Sequence, residues 1–223
     1  MKTETKRKLI SVVFPERCPY CKDVVKPLET ACEDCKKTVE KDIYKKLIRG
    51  DYRVLSAVQY DGICKDAILK LKFGKKKQYA YQLAKLMAEK LQAELEAVSF
   101  DVITFVPLHK DTLKERGFNQ SGLLAKYLSE LLGIPCEALL KKTKKNKPQH
   151  ECLGKKREEN VTGVFKCIAK ANIEGRKILL VDDIVTTGFT LAECAQTLKE
   201  KGAEDIFCVT FALTLQKNSL KTD

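Results

Sequence analysis

Two acidic residues stand side by side at the end of an apolar run, in Ile178-Leu-Leu-Val-Asp182-Asp183-Ile-Val-Thr186-Thr187-Gly188-Phe-Thr190. The run reads as a buried strand and the residues after Thr190 as a helix, so the acids fall at the carboxyl edge of a sheet, where open α/β sheets bind ligands. The threonine hydroxyls and the backbone N–H groups at the start of the following helix form an anion cradle suited to a phosphate. Carboxylates beside such a cradle suit a phosphorylated polyhydroxy ligand, with the acids on its hydroxyls or on a hydrated Mg2+. A strand ending in acids also occurs in nucleotide triphosphatases, but no G-x-x-x-x-G-K-[ST] is present, which argues against an ATPase.

A second chemistry lies near the start of the chain. Cys18, Cys21, Cys32 and Cys35 form C-x2-C-x10-C-x2-C. Each pair puts two thiolates on one turn, and two turns complete a closed tetrahedral shell, the pattern of a structural Zn2+ with no position left for water. The other six cysteines are scattered singly and read as small buried apolar residues. With only two histidines and no nucleophile motif beside them, a hydrolytic triad is not expected.

Elements of alternating type must position these groups. Strands are predicted at 54–60, 102–106, 163–168, 177–184 and 206–213, and helices at 78–97, 120–132 and 190–201. The first helix rests on Leu83, Leu86, Met87, Leu91 and Leu95 at spacings of three and four. Continuous apolar strands separated by helices indicate a parallel sheet covered on both faces. The stretch 141–160 is rich in Lys and Glu without periodicity, and is read as a lid. The expected division is a cysteine module over 1–48 and an α/β domain over 49–223.

The 223 residues carry 42 Lys and Arg against 30 Asp and Glu, a net charge of +12, with 44% hydrophobic residues. That composition describes a folded chain rather than a disordered one. No apolar run is long enough to span a bilayer, and Leu9–Phe14 is too short for a signal-peptide core, so membrane insertion is not expected and a cytoplasmic location is. In that reducing setting clustered cysteines favour metal over disulfides. Lys70, Lys72, Lys75, Lys76 and Lys77, and Lys141, Lys142, Lys144, Lys145 and Lys147, read either as solvated faces or as attractors of a polyanion, including DNA phosphates.

The run V-D-D-I-V-T-T-G-x-T resembles the ribose-phosphate signature of type I phosphoribosyltransferases. With the cysteine module, Leu71-Lys-Phe-Gly-Lys, Val106-Pro-Leu-His109, Arg116-Gly-Phe-Asn-Gln120 and Gln149…Arg157-x-x-Asn160, the chain is similar to the ComF family in particular. The resemblance implies a type I phosphoribosyltransferase fold that binds 5-phosphoribosyl-1-pyrophosphate (PRPP) with Mg2+. Asp182 and Asp183 would hold the ribose hydroxyls. Thr186, Thr187, Gly188 and Thr190, reached through Ile184 and Val185, would wrap the 5-phosphate. Arg116 and the Gly117 amide would meet pyrophosphate from a loop spanning His109 to Gly117, and Arg157 would reach it from the lid. Cys152 departs from the pattern, standing where a Leu is expected. The implied chemistry is displacement of pyrophosphate from the anomeric carbon by a ring nitrogen or amine, in a protein linked to natural competence and incoming single-stranded DNA. The competing reading is a PRPP sensor or a non-catalytic DNA-processing adaptor that binds single-stranded DNA or a helicase partner through the zinc module and lysines.

Overall fold

The computed structural model describes residues 2–39, 44–48, 52–74, 76–95, 99–144 and 163–215. In chain order these form α1 (Lys2–Val13), α2 (Glu33–Val39), β1 (Tyr44–Ile48), β2 (Tyr52–Gln59), α3 (Gly62–Lys72), a 3-10 turn (Lys77–Tyr79) and α4 (Ala80–Glu94). They continue with β3 (Val102–Phe105), α5 (Lys110–Arg116), α6 (Gln120–Leu132), β4 (Leu140–Lys142), β5 (Phe165–Cys167), β6 (Lys177–Val185), α7 (Phe189–Lys199) and β7 (Asp205–Leu213). Arg157 and most of the predicted lid lie outside the described residues.

The sheet runs β1-β2-β7-β6-β3, parallel except for β1, which pairs antiparallel with β2. β6 shows why its sequence is almost uninterruptedly apolar. Leu179 and Val181 pack with α3, α4 and α6 on one face, while Ile178 and Leu180 pack with α7 on the other. A strand covered on both faces has no polar side to alternate with. The β4–β5 hairpin lies against α7, with Phe165 buried in the same cluster as Leu198.

The helices are set by their ends. Asn119 caps α6, its Oδ1 accepting from the Gly122 N–H at 3.1 Å, and its Nδ2 donates to Val106 O at 3.0 Å, tying the start of α6 to the end of β3. Gly133, at φ 73°, ends the helix. Leu124, Ala125 and Leu128 present its apolar stripe to the sheet, and each fully buried leucine contributes roughly 1.5–3 kcal/mol.

The cysteine module is fastened to this framework. Lys70 Nζ donates to Tyr20 O at 2.9 Å and Pro19 O at 3.4 Å, Gln82 Nε2 to Arg17 O and Glu29 O, and Lys85 Nζ to Leu28 O at 2.6 Å. Cys18, Tyr20, Val25, Ala31, Cys35 and Val39 share an apolar cluster with α3 and α4. Two features depart from the expected division at 48/49. Strand β1, placed with the module, is hydrogen-bonded into the main sheet, and the module's core is continuous with the sheet's. The first helix, α1, leaves Leu9, Val12, Val13 and Phe14 exposed, while Arg7 pairs with Glu16 at 2.7 Å and lies 3.9 Å from the centre of the Tyr81 ring. No described helix is long and apolar enough to cross a membrane.

Candidate functional site

At the carboxyl edge of β6 a cleft of about 530 Å3 is walled by the ends of β6 and α3, the segment after β3, the start of α6, and the turn into α7. Arg116, Asp182, Asp183, Ile184, Val185, Thr186, Thr187, Gly188 and Thr190 all line it. Residues up to 74 positions apart in sequence, Arg116 and Thr190, thus converge on the predicted site.

Neighbouring residues on a strand point to opposite sides, and the acids accordingly have different partners. Asp182 Oδ1 accepts from Ser121 Oγ at 2.7 Å and from the Asp183 N–H at 2.9 Å. Burial, then the neighbouring Asp183 charge, push its carboxyl up to about 7, against the pull of Ser121, the Asp183 N–H and Lys72. Asp183, only 10% exposed in its side chain, pairs with Lys72 Nζ at 2.9 Å. A directly coordinated Mg2+ would have to displace partners that both acids already hold, because Asp182 Oδ1 accepts from Ser121 and the Asp183 N–H and Asp183 is engaged by an ammonium.

The T-T-G-x-T turn takes its shape from Gly188. Its φ is 85°, the left-handed region that glycine enters without penalty, and a Cβ there would lie 2.3 Å from Ile48 Cγ2 on β1. Gly188 is the N-cap of α7 and no side chain among the described residues caps that helix, so the positive end of its dipole opens onto the cleft. By contrast α5 is capped by His109 Nδ1, which accepts from the Asp111 N–H at 3.3 Å.

The segment from His109 to Gly117 is a short helix with its own cap rather than the expected open loop. Gly117 closes it at φ 76°, and its N–H, the expected pyrophosphate contact, donates to Leu113 O at 2.8 Å. Arg116 does reach the cleft. Its Nη1 donates to Gln120 Oε1 at 3.1 Å, and its guanidinium lies 5.1 Å from the Phe73 ring centre. Because Gln120 Oε1 faces the guanidinium, its Nε2 is the remaining group, and that buried donor has no hydrogen-bond partner among the described residues. An unpaired buried amide costs on the order of 1–3 kcal/mol, a debt that an acceptor oxygen entering the cleft beside Arg116 would remove.

Sequence reasoning missed four cleft residues: Gln120, quoted only within a motif, Ser121, Lys72 and Lys142. Ser121 had no signal. Lys72 and Lys142 sit inside lysine runs, where nothing separates a cleft ammonium from a solvated one. Lys142, on β4, lines the cleft and is pushed down by burial, against Cys194 and Asp182, which raise it. Of the first run, Lys70 holds the module, Lys72 holds Asp183 and Lys77 lies 4.8 Å from the Phe118 ring centre, so these three are engaged within the fold.

In the module, Cys18, Cys21, Cys32 and Cys35 bring their sulfurs within 4.8 Å of one another, close enough to hold one metal ion. The knuckle is closed by Cys18 N–H to Asp23 O at 2.7 Å and Lys22 N–H to Cys18 O at 3.0 Å, with Lys22 at φ 76°. All four positions being sulfur, the donor set fits a closed structural site.

Residues 113–223 match the model of the phosphoribosyl transferase domain. Competence protein ComFC of Streptococcus pneumoniae is 30% identical over 199 residues, 89% of this chain and 80% of that one. The DNA utilization protein YhgH of Salmonella typhi is 30% identical over 158 residues, 69% of each chain. Among solved structures, adenine phosphoribosyltransferase from Saccharomyces cerevisiae overlaps 82% of this chain and 89% of its own, at 15% identity and a TM-score of 0.45. With a type I phosphoribosyltransferase fold carrying a four-cysteine module, the chain belongs to the ComF family of phosphoribosyltransferase-type proteins.

Proposed function

We propose that the protein binds PRPP in the cleft at the end of β6 and transfers its phosphoribosyl group to an amine or ring nitrogen, releasing pyrophosphate, in the handling of incoming DNA during natural competence. One observation carries the reading. The acid pair, the uncapped start of α7 with its threonines, and Arg116 line a single cleft of about 530 Å3, within the 300–1,000 Å3 range of small-molecule sites. The link to competence draws on the names of the relatives ComFC and YhgH.

Each group has a task set by its chemistry. Thr186, Thr187 and Thr190, with the N–H groups at the start of α7, hold the 5-phosphate. Asp182 and Asp183 receive the ribose hydroxyls, and their acceptor oxygens favour the positive charge that builds on the ribose ring as the anomeric bond breaks. Arg116 and the orphaned Gln120 amide face the departing pyrophosphate, and Arg157 is proposed to join them from the lid. No protein nucleophile is required. Magnesium, where it accompanies PRPP, would neutralise the pyrophosphate oxygens. The module is proposed to hold Zn2+, and the reducing cytoplasm, where thiols persist, is the proposed location.

Calorimetric titration with PRPP tests the binding. Saturable binding by the wild type, abolished in Asp182→Ala/Asp183→Ala and weakened in Arg116→Ala, is expected; equal binding by wild type and the double variant would overturn the reading. Pyrophosphate release across a panel of bases and amines then separates transfer from sensing. The adaptor reading draws on lysines as a DNA-contact surface, and Lys70 and Lys72 are already bonded within the fold.

A further inference from the structure

Lys72 is the last residue of α3 and stands at the cleft wall with its ammonium 2.9 Å from Asp183 Oδ1. The pair is shielded, with side-chain exposures of 18% for Lys72 and 10% for Asp183. Shielding matters because a charge removed from water must be compensated, and here each ion compensates the other. A lysine ammonium carries three hydrogens, and Asp183 takes one. The four-carbon stem lets the head turn without losing that contact.

From this geometry we propose that Lys72 is a ligand-binding residue of the sugar-phosphate site, a built-in cation that bridges Asp183 to the incoming phosphate oxygens and lets the cleft bind PRPP without a divalent metal. The proposal rests on the PRPP reading above and deepens it. A divalent ion at such a site has two electrostatic tasks: it offsets the carboxylates and it offsets the ligand's oxygens. Lys72 already performs the first at Asp183. Asp182 needs no cation, since its Oδ1 accepts from Ser121 and the Asp183 N–H. For the second, Lys72 and Lys142 line the same cleft as Arg116, so three cationic side chains from α3, β4 and α5 face one volume. A polyanion entering there meets a net positive surface rather than a bare acid pair.

The test is calorimetric titration of the full, metal-loaded chain with sodium PRPP, in buffer passed over a cation-exchange resin to remove divalent ions and in the same buffer with excess MgCl2. No chelator is used, so the cysteine module keeps its metal. The wild type should bind within about tenfold in the two buffers. Lys72→Met should lose on the order of 10- to 100-fold in the metal-free buffer, the loss of a charge-assisted hydrogen bond, and regain most of it with Mg2+, while Lys72→Arg should stay close to the wild type. Should Lys72→Met misfold because Asp183 is left unpaired, Lys72→Gln keeps a hydrogen-bond donor toward Asp183 without the charge and should show the same Mg2+ dependence. The proposal is overturned, with the PRPP reading intact, if the wild type binds with Mg2+ and weakens more than about a hundredfold without it, or if Lys72→Met matches the wild type in both buffers. Absence of PRPP binding in both buffers would sink the PRPP reading itself and this proposal with it.

Discussion

Replacing Gly188 by alanine isolates the one place where the ligand cradle depends on a strand from the N-terminal part of the chain. Gly188 has φ 85°, and a Cβ built on it meets Ile48 Cγ2 at 2.3 Å and Ile48 Cβ at 2.8 Å. Carbon atoms rest at about 3.5–4.0 Å, so the overlap exceeds an ångström and cannot be absorbed by a rotamer change, because Ile48 Cβ is fixed to its backbone. Two costs add. The left-handed conformation costs an alanine roughly 1–2 kcal/mol, and forcing a methyl into filled space roughly 1–3 kcal/mol, giving about 2–5 kcal/mol for Gly188→Ala. Gly133 serves as the control, since at φ 73° it has no atom within 4 Å of a built Cβ. Gly133→Ala should lose only the conformational part.

The contact is separated from the strain by a double-mutant cycle. Ile48 is 1% exposed, so Ile48→Ala alone should cost about 2–5 kcal/mol. It also removes Cγ2, the atom in the worst overlap. The double variant should therefore be at least about 1 kcal/mol more stable than the sum of the single losses predicts. Urea unfolding followed by far-ultraviolet circular dichroism is the suitable assay, as the chain contains no tryptophan. A Gly188→Ala loss below about 1 kcal/mol, or strict additivity in the cycle, would refute the reasoning.

Three further outcomes follow from the same geometry. Burial, then the neighbouring Asp183 charge, raise the folded Asp182 carboxyl to about 7 from a reference of 3.8, so its contribution to stability is full below about pH 4 and is lost as pH rises toward 7; urea midpoints for Asp182→Asn should lack this fall, and an unchanged slope would count against it. Asn119→Ala should cost about 1–2 kcal/mol through the α6 cap, whereas Asn119→Asp keeps the cap acceptor and loses only the donor to Val106 O, so equal losses in thermal melts would contradict the assignment. Stripping the cysteine-bound metal should lower one common melting transition and expose dye-binding apolar surface, because the module shares its core with α3 and α4; two separate transitions would show that the module is independent.

Much of the framework was legible because it depends on local patterns. The helix 120–132 was read from a pattern that acts within a few residues, and it appears with those limits, the structure adding the Asn119 cap at its start and Gly133 in the left-handed region at its end. The strand ending in Asp182 and Asp183 was legible because a two-face burial leaves an unbroken apolar run. α3 was not anticipated. Its start at Asp61 has no side-chain cap bond, and its charged face reads as a lysine run. α5 was read as a loop because the seven residues Lys110–Arg116 are too few to show a period. β1 was assigned to the cysteine module because its pairing with β2 is a contact that sequence spacing does not encode.

The lysine run illustrates why a charge count misleads. Lys70 and Lys72 are two residues apart on α3, about 200° around the helix axis, so they cannot serve one surface. Lys70 turns to the carbonyls of Pro19 and Tyr20 in the cysteine module, and Lys72 turns to Asp183 in the cleft. One helix thus lies between the four cysteines and the acid pair and is pinned on both sides by ammonium groups. The position of Lys72 depends on where α3 lies, and α3 is held by a module with few large apolar side chains of its own. A metal ion held by the four cysteines would supply the rigidity that such a small module lacks. On this arrangement the four cysteines need not touch the ligand to matter to the cleft: they fix the backbone carbonyls that fix Lys70, and through α3 the cation that faces Asp183.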